Sequence, residues 1–273
     1  MSPEVGALDE DAFDAALGAD PDAALTLLAE MATATDERLR AAARRLAARI
    51  VLDRTRTGVP RSRGTRRLRR VSADRGGDLD VDASMEALLE ARAQGRRPAL
   101  EELTARDWGA PELALCLLVD SSGSMGGARL AAAALTAGAC AWRAPGDHAV
   151  LSFAREVKVL RAMDSQRPAA GVVDAVLALR GFGVTALGTA LRAAQEQLAR
   201  TRADRRVVVL LSDCRATDEE DPVAVAALIP ELVVLAPADD SEQAAEFARR
   251  CGARWAPLKG VADAPAVLAE LLS

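Results

Sequence analysis

The sequence has 273 residues, of which 50% are hydrophobic and only 3% aromatic, and its net charge is −5 at pH 7. This length suffices for one large domain or for a domain with a smaller companion, and the aliphatic composition favours helices packed on an aliphatic sheet. The negative net charge argues against non-specific binding of nucleic acid by the whole molecule.

The cysteines and the N-terminal segment indicate the cellular compartment. The four cysteines, at positions 116, 140, 214 and 251, contain no CxxC pair, so neither a disulfide framework nor a zinc site is predicted. The opening "MSPEVGALDEDAFDAAL" lacks the basic-then-apolar pattern of a signal peptide. No apolar run approaches the roughly 20 residues needed to span a bilayer. We therefore expect a cytoplasmic protein that does not contact a membrane.

Residues 1–53 are predicted to form a small helical N-terminal region. Asp9 and the pair Asp20-Pro21 are typical first residues of helices. A third helix from about Thr35 places apolar residues on one face and arginines on the other. The apolar residues are Leu39, Ala43, Leu46 and Ile50, and the arginines are Arg38, Arg45 and Arg49.

Residues 54–110 are predicted to be an arginine-rich linker followed by a strap. The stretch 54–75 contains nine arginines, one acidic residue and the helix-breaking Pro60. It is interpreted either as a basic arm that contacts nucleic acid or an acidic protein surface, or as a solvated linker. The absence of an aromatic residue on which a base could stack weakens the nucleic-acid interpretation. Residues 76–110 contain a short helix from Ser84 and connect to the next region.

Residues 111–273 are predicted to form a doubly wound, mostly parallel six-stranded α/β domain. Helical segments near 128–144, 168–180, 187–202, 242–251 and 263–272 alternate with short apolar runs. These runs are 113–119, 148–153, 156–162, 206–212, 231–236 and 253–258. Only two residues separate 148–153 from 156–162, so these two are expected to form an antiparallel hairpin.

Three polar loops of this domain carry short oxygen-bearing side chains. "DSSGSM" follows strand 113–119, "GVTALG" precedes a helix, and "SDCRATDEED" follows strand 206–212. Ligands gather at the carboxyl ends of parallel strands. The oxygens of Asp120, Ser122, Ser124, Thr185 and Asp213 are therefore expected to lie near one another. Oxygen ligands of low total charge suit a hard cation such as Mg²⁺.

These residues resemble the metal-ion-dependent adhesion site of von Willebrand factor A (VWA) domains. The family pattern is D-x-S-x-S, then a loop threonine, then an aspartate after the next buried strand, and the sequence fills all five places over residues 112–273. The resemblance implies that Ser122, Ser124 and Thr185 coordinate the cation directly, with Asp120 and Asp213 acting largely through water. Cys214 departs from the pattern, because the family most often has glycine there.

The loops "SDCRAT" and "GVTALGTAL" look more like those of magnesium-chelatase D subunits and CoxE-like proteins than those of integrins. Such relatives work beside AAA+ ATPases, notably of the MoxR type. The resemblance thus implies a non-enzymatic adaptor whose Mg²⁺, or alternatively Mn²⁺ or Ca²⁺, is completed by an Asp or Glu of a protein partner. A MoxR-type ATPase is the leading candidate for that partner, and no small-molecule substrate is expected.

Two other functions stay open at this point. An RNA-binding or other nucleic-acid-binding role would use the arginine-rich segment 54–75. A metal-dependent hydrolase would use the Asp120 loop, but Ser122 stands where a dehalogenase-type phosphatase needs a second aspartate and where G-x-S-x-G needs its first glycine. The only histidine, His148, is expected at the surface with no obvious partner, so no catalytic residue is assigned.

Overall fold

Aspartate caps begin the three N-terminal helices of the computed structural model, which describes residues 9–56, 67–109, 112–123, 126–181, 183–217 and 221–273. The helices are α1 (Glu10–Ala19), α2 (Pro21–Met31) and α3 (Glu37–Arg56). Asp9, Asp20 and Asp36 each accept the backbone N–H of the residue three positions ahead, at 2.9–3.0 Å. These bonds satisfy N–H groups that the first turn of a helix leaves free.

The predicted sidedness of α3 is confirmed. Ala43, Leu46 and Ile50 are buried, whereas Leu39 near the start of the helix is half-buried, and the arginines at positions 38, 45 and 49 are exposed. The buried face joins the same apolar core as the C-terminal sheet. The buried faces of the N-terminal helices therefore form part of one core with the C-terminal sheet.

The chain divides into two units. The described parts of residues 1–61 and 113–273 form one unit, and those of residues 62–112 form the other. The sequence predicts the regions 1–53, 54–110 and 111–273, whereas the structure groups the N-terminal helices with the C-terminal sheet. The residues predicted as a strap have a fold of their own.

The smaller unit is a three-stranded antiparallel sheet with one helix. Its elements are β1 (Arg67–Ser72), β2 (Asp78–Leu79), α4 (Val81–Ala93) and β3 (Thr104–Gly109), with strand order β1-β3-β2. Part of the arginine-rich segment is thus paired as β1. The stretch 57–66 of that segment lies outside the described residues.

A buried carboxylate ties the smaller unit together. Asp80 accepts the Ala83 N–H at the start of α4 and forms ion pairs with Arg106 on β3 and Arg70 on β1, at 2.8 and 3.3 Å. The hydrogen bond from Arg106 lowers the pKa of Asp80. One side chain therefore connects the helix to two strands.

The larger unit contains the predicted six-stranded sheet, in the order β6-β5-β4-β7-β8-β9. Its strands are β4 (Leu113–Asp120), β5 (His148–Phe153), β6 (Val157–Arg161), β7 (Arg205–Leu211), β8 (Leu232–Pro237) and β9 (Arg254–Leu258). Every pairing is parallel except the predicted hairpin of β5 with β6. The predicted fold class is confirmed.

Helices cover both faces of this sheet. They are α5 (Gly127–Arg143), α6 (Ala169–Leu177), α7 (Leu187–Leu198), α8 (Pro222–Ala226), α9 (Glu242–Cys251) and α10 (Ala264–Leu271). Alternate residues of β4 enter different cores, Leu115 and Leu117 on the α5 side and Cys116 and Leu118 on the α7 side. The short helix α8 is an addition to the predicted elements.

Helix α5 is buried on nearly all of its faces. Every residue from Leu130 to Ala141 is buried, because the sheet covers one side of the helix and α2 and α3 cover the other. A Cβ built at Gly138 would lie 2.9 Å from Val51 and 3.1 Å from Thr55 of α3. The small residues of α5 therefore let the N-terminal helices approach its backbone closely.

Replacing Gly138 with leucine should lower the free energy of unfolding by about 1–3 kcal/mol, because the larger side chain cannot fit between α5 and α3 without moving them. Denaturant unfolding measures this loss. Gly146→Leu is the matched control, since a Cβ at Gly146 has no neighbour within 4 Å. Equal stability of the two variants would show that α3 does not pack on α5.

The prediction that His148 lies at the surface is wrong. His148 is the first residue of β5 and is 2% exposed. Its Nδ1 lies 2.8 Å from the Ala144 carbonyl oxygen, and its Nε2 has no hydrogen-bond partner among the described residues. Burial, together with the positive charge of Arg161, lowers the pKa of His148 to about 4. The sequence does not show whether a polar residue at the start of an apolar run is buried or exposed. His148 is buried because it is the first residue of β5, all six residues of which are buried.

The buried His148 makes stability depend on pH. Above its ordinary pKa of 6.5 the imidazole is neutral in both states, and between 6.5 and about 4 only the unfolded chain takes up a proton. The free energy of unfolding should therefore fall on acidification through this range, by up to about 3 kcal/mol. Denaturant unfolding of the wild type and of His148→Gln across this range measures the difference. Identical pH dependence of the two proteins would contradict a neutral buried histidine.

Candidate functional site

Parallel pairing places the ends of β4 and β7 side by side. Val119 of β4 is in register with Leu211 of β7, so Asp120 and Ser212 leave the sheet at the same edge. The loop "GVTALG", which we call the threonine loop, is held against this edge by backbone hydrogen bonds, one from Ala186 N–H to Ala154 O at 2.9 Å. The structure thus brings together the three loops that the sequence analysis singled out.

Side-chain oxygens from all three loops form one hydrogen-bonded cluster. Thr185 Oγ1 donates to Ser122 Oγ at 2.6 Å, and Ser122 Oγ donates to Asp120 Oδ1 at 2.5 Å. The Ser122 N–H also donates to Asp120 Oδ1, at 2.8 Å. Ser212 Oγ donates to the second carboxylate oxygen, Asp120 Oδ2, at 2.5 Å. We call Asp120, Ser122, Thr185 and Ser212 the oxygen cluster.

Asp213 lies beside the oxygen cluster and is not hydrogen-bonded to it. Its Oδ1 accepts the Arg215 N–H at 3.0 Å, and its side chain lines the same cavity as Asp120. The burial of Asp120 raises the pKa of its carboxyl, against the hydrogen bonds from Ser122 and Ser212, and the negative charge of Asp213 adds to the rise. Two neighbouring carboxylates of this kind favour a cation between them.

The fifth predicted site residue, Ser124, lies outside the described residues. The predicted set is therefore brought together at four positions: Asp120, Ser122 and Thr185 by direct contact and Asp213 as a neighbour on the β7 loop.

Two side chains that the sequence analysis did not assign hold the site in place. Ser212 binds Asp120 and also accepts the Cys214 N–H at 2.8 Å. Thr217 accepts the Thr185 N–H at 2.9 Å and returns its own N–H to the Thr185 carbonyl at 3.0 Å. The second bond pair fixes the threonine loop to the β7 loop. In the sequence Ser212 is only the last residue of the predicted strand 206–212, and its contact with Asp120 depends on the register of β7 with β4.

The backbone at Cys214 has the conformation for which glycine is favoured. Its φ is +61°, the only positive φ of a non-glycine residue among the described residues. This accounts for the glycine that the resembled family most often has at this position. The Cys214 thiol is buried, and burial raises its pKa. It is therefore a packed side chain with little thiolate character.

The donor set of the cluster fits a hard divalent cation. A carboxylate and two or three hydroxyls, all of them oxygen donors, suit Mg²⁺ or Mn²⁺ better than zinc, which prefers nitrogen and sulfur. Among the described residues no group of three or more histidine, cysteine or acidic side chains is placed to hold a metal. A cation here would therefore depend on hydroxyl oxygens and water for most of its coordination.

A cavity of about 730 Å³ opens directly beside the oxygen cluster. Its floor consists of strand-end residues, among them Val119, Asp120 and Leu211. Helices α2 and α5 and the loop after β9 form its walls. Its size is typical of ligand-binding sites, which range from about 300 to 1,000 Å³.

The sequence matches a family model over most of its length. Residues 43–256 match the family described as "VWA domain containing CoxE-like protein". The chain belongs to this family. The resemblance inferred from the three loops is confirmed at the level of the family.

Solved structures similar to this CoxE-like protein include an aerotolerance-related membrane protein from Bacteroides fragilis NCTC 9343, with 15% identity and a TM-score of 0.48 over 59% of this chain and 98% of that chain. BatB from Bacteroides thetaiotaomicron has 14% identity and a TM-score of 0.47 over 59% and 97%. A von Willebrand factor type A protein from Catenulispora acidiphila has 17% identity and a TM-score of 0.46 over 62% and 43%. A search of curated proteins found no match.

Within the parts of the CoxE-like protein that the structure describes, no helix combines the length and the apolar character that crossing a membrane requires.

Replacing Ser212 with alanine should lower the free energy of unfolding by about 1–3 kcal/mol, because the partly buried Asp120 carboxylate and the Cys214 N–H both lose a partner. Denaturant unfolding tests this. Ser241→Ala is the control, since the Ser241 side chain makes no capping hydrogen bond, and it should change stability by less than about 0.5 kcal/mol. If the two variants are equally stable, Ser212 does not hold Asp120 in place.

Proposed function

We propose that the protein is a non-enzymatic, Mg²⁺-dependent protein-interaction protein. The observation that supports this most directly is the oxygen cluster, in which hydrogen bonds of 2.5–2.6 Å link Asp120 and Ser122 of one loop to Thr185 of a second and Ser212 of a third. Side chains so close together are suited to share one small cation. Mn²⁺ or Ca²⁺ is the alternative ion.

In this proposal each site residue has a stated role. The hydroxyls of Ser122, Ser124 and Thr185 hold the cation directly, while Asp120 and Asp213 hold it largely through water. The bound cation supplies positive charge and a coordination position that a ligand from outside can fill. Ser212 orients Asp120 and Thr217 orients Thr185, as residues that hydrogen-bond to metal ligands do in other proteins.

Charge balance favours an acidic residue as that outside ligand. Two carboxylates that act largely through water neutralise the field of a divalent ion only in part, and the site is short of one ligand. A partner's Asp or Glu then adds a short, charge-assisted contact in a site that is partly shielded from water. Binding of the partner therefore depends on both the cation and a carboxylate.

The partner we propose is a MoxR-type AAA+ ATPase. Support comes from membership of the CoxE-like family, together with the general use of VWA domains as protein-interaction modules.

The position of His148 supports a non-enzymatic role. Asp120 is in register with Phe153, the last residue of β5, while His148 is the first residue of the same strand. Five residues of extended strand separate the two ends by roughly 16 Å. The only histidine of the chain is thus buried far from the serines of the Asp120 loop and is unsuited to serve them as a base.

Replacing Asp120 with alanine should abolish partner binding and weaken metal binding at least roughly tenfold, because a ligand-orienting carboxylate is lost. The partner to use is the purified MoxR-type ATPase of the same organism, tested by biolayer interferometry in Mg²⁺. Metal binding is followed separately by Mn²⁺ titration. Asp263→Ala is the control, since Asp263 is exposed and makes no capping bond.

EDTA should have the same effect on the wild type as Asp120→Ala, and added Mg²⁺ should restore binding. Undiminished binding of the ATPase by Asp120→Ala in EDTA would rule out the metal-dependent mechanism. A parallel titration with RNA tests the remaining alternative. Strong binding to RNA that falls steeply with salt would favour a nucleic-acid role for the arginine-rich segment.

A further inference from the structure

We propose that the cavity beside the oxygen cluster binds an aliphatic side chain next to the partner's acidic residue. The protein would then select an Asp or Glu that is flanked by Leu, Ile, Val or Met in an extended segment. This inference rests on the proposed function and assigns the specificity of the same site.

The cavity is continuous with the oxygen cluster. Asp120, Ser122 and Asp213 line it, and so do Val119 and Leu211, the strand residues directly before Asp120 and Ser212. Val119 and Leu211 are only 1% and 9% exposed. The apolar surface that the cavity offers beside a carboxylate held at the cluster therefore comes from residues such as Leu27 and Ala128. The residue next to that carboxylate in a peptide is the one that reaches this surface.

Helix α2 has one apolar side chain, Leu27, that lines the cavity and is not buried in the core. Ala23, Leu27 and Glu30 are spaced to share one face of the helix, and all three line the cavity. Leu27 is 51% exposed, whereas Leu25 and Leu28 of the same helix are 3% and 1% exposed. The exposed leucine is thus available to a ligand, and its burial would favour binding.

The wall formed by α2 is held in position at two points. Asp22 Oδ1 accepts the Ala262 N–H from the loop after β9, at 2.7 Å. At the other contact, a Cβ built on Gly127 of α5 would lie 2.7 Å from the Thr26 carbonyl oxygen, so the two helices approach closely. A cavity fixed in this way requires little reordering when a ligand enters.

Charged side chains of both signs line the cavity around its apolar part. Asp22, Glu30 and Asp239 provide negative charge, and Arg129 and Lys259 provide positive charge, along the same lining. Mixed polar groups around an apolar centre are the usual arrangement of a ligand site.

Because α2 precedes the matched residues 43–256, the wall that α2 forms is supplied by a part of the chain outside the family match.

Short synthetic peptides test this inference without knowledge of the partner. The full-length ¹⁵N-labelled protein in excess Mg²⁺ is titrated with Ac-Gly-Asp-Leu-Gly-amide and Ac-Gly-Leu-Asp-Gly-amide and followed by NMR. The same titration is made with Ac-Gly-Asp-Gly-Gly-amide and with Ac-Gly-Asn-Leu-Gly-amide. At least one of the two peptides that contain both Asp and Leu should bind roughly tenfold more tightly than the Asp-Gly peptide, because the Asp-Gly peptide has no leucine to bury in the cavity.

Two variants of the cavity should remove this preference. Leu27→Glu places a charge in it, and Ala128→Phe fills it from an exposed position on α5. Ala128→Phe should leave Mn²⁺ affinity unchanged, since Ala128 does not belong to the oxygen cluster and the substitution adds no charge. Leu228→Glu is the matched control, because Leu228 is 70% exposed and does not line the cavity.

The outcomes separate this inference from the proposed function. The cavity assignment would be overturned if neither the Asp-Leu nor the Leu-Asp peptide binds more tightly than the Asp-Gly peptide, or if Leu27→Glu and Leu228→Glu have equal effects. The metal site would still be judged separately by Asp120→Ala. Tight binding of free 4-methylpentanoate in place of the peptides would show that the occupant is a small acid and would overturn the peptide assignment. Leucine-dependent binding that persists in EDTA and with the Asn peptide would support the cavity and contradict the metal.

Discussion

The parallel pairing of β4 with β7 is the constraint on which the candidate site depends. Because Val119 and Leu211 are in register, the chain leaves both strands at one edge, and the Ser212 hydroxyl reaches the Asp120 carboxylate. The threonine loop is then joined to the β7 loop through Thr217. Sheet geometry thus produces a cluster of oxygens from segments that are far apart in sequence, and no single loop could form it alone.

In the proposed function the edge of the sheet holds the cation, and the N-terminal helices help to select the ligand. Helix α5 begins directly after the Asp120 loop, and its small residues allow α2 and α3 to pack against it. This packing brings Leu27 of α2 to the cavity beside Asp120. The same contacts that stabilise the larger unit therefore decide what surface a partner meets next to the proposed metal.

Local patterns in the sequence predict the strands, the hairpin and the loops of the site, because buried strands are short apolar runs and site loops follow them. Other features depend on contacts that such patterns do not contain. Ser212 belongs to the predicted strand 206–212, and only the register with β4 directs its hydroxyl to Asp120. The amphipathic pattern of α2 predicts a buried face without indicating which helix covers it. The strands of the smaller unit lack apolar alternation, as in "RLRRVS" of β1, so their pairing around Asp80 could not be read from the sequence.

Oxygens of three loops are proposed to surround one divalent cation. Anomalous diffraction from crystals of the full-length protein grown in Mn²⁺ tests this most directly, because the scattering peak reports the position of the ion itself. The account predicts one strong peak within coordination distance of Ser122 Oγ and Thr185 Oγ1, with Asp120 and Asp213 adjacent to it. A Mn²⁺ peak bound elsewhere in the protein, with none between these side chains, would contradict it.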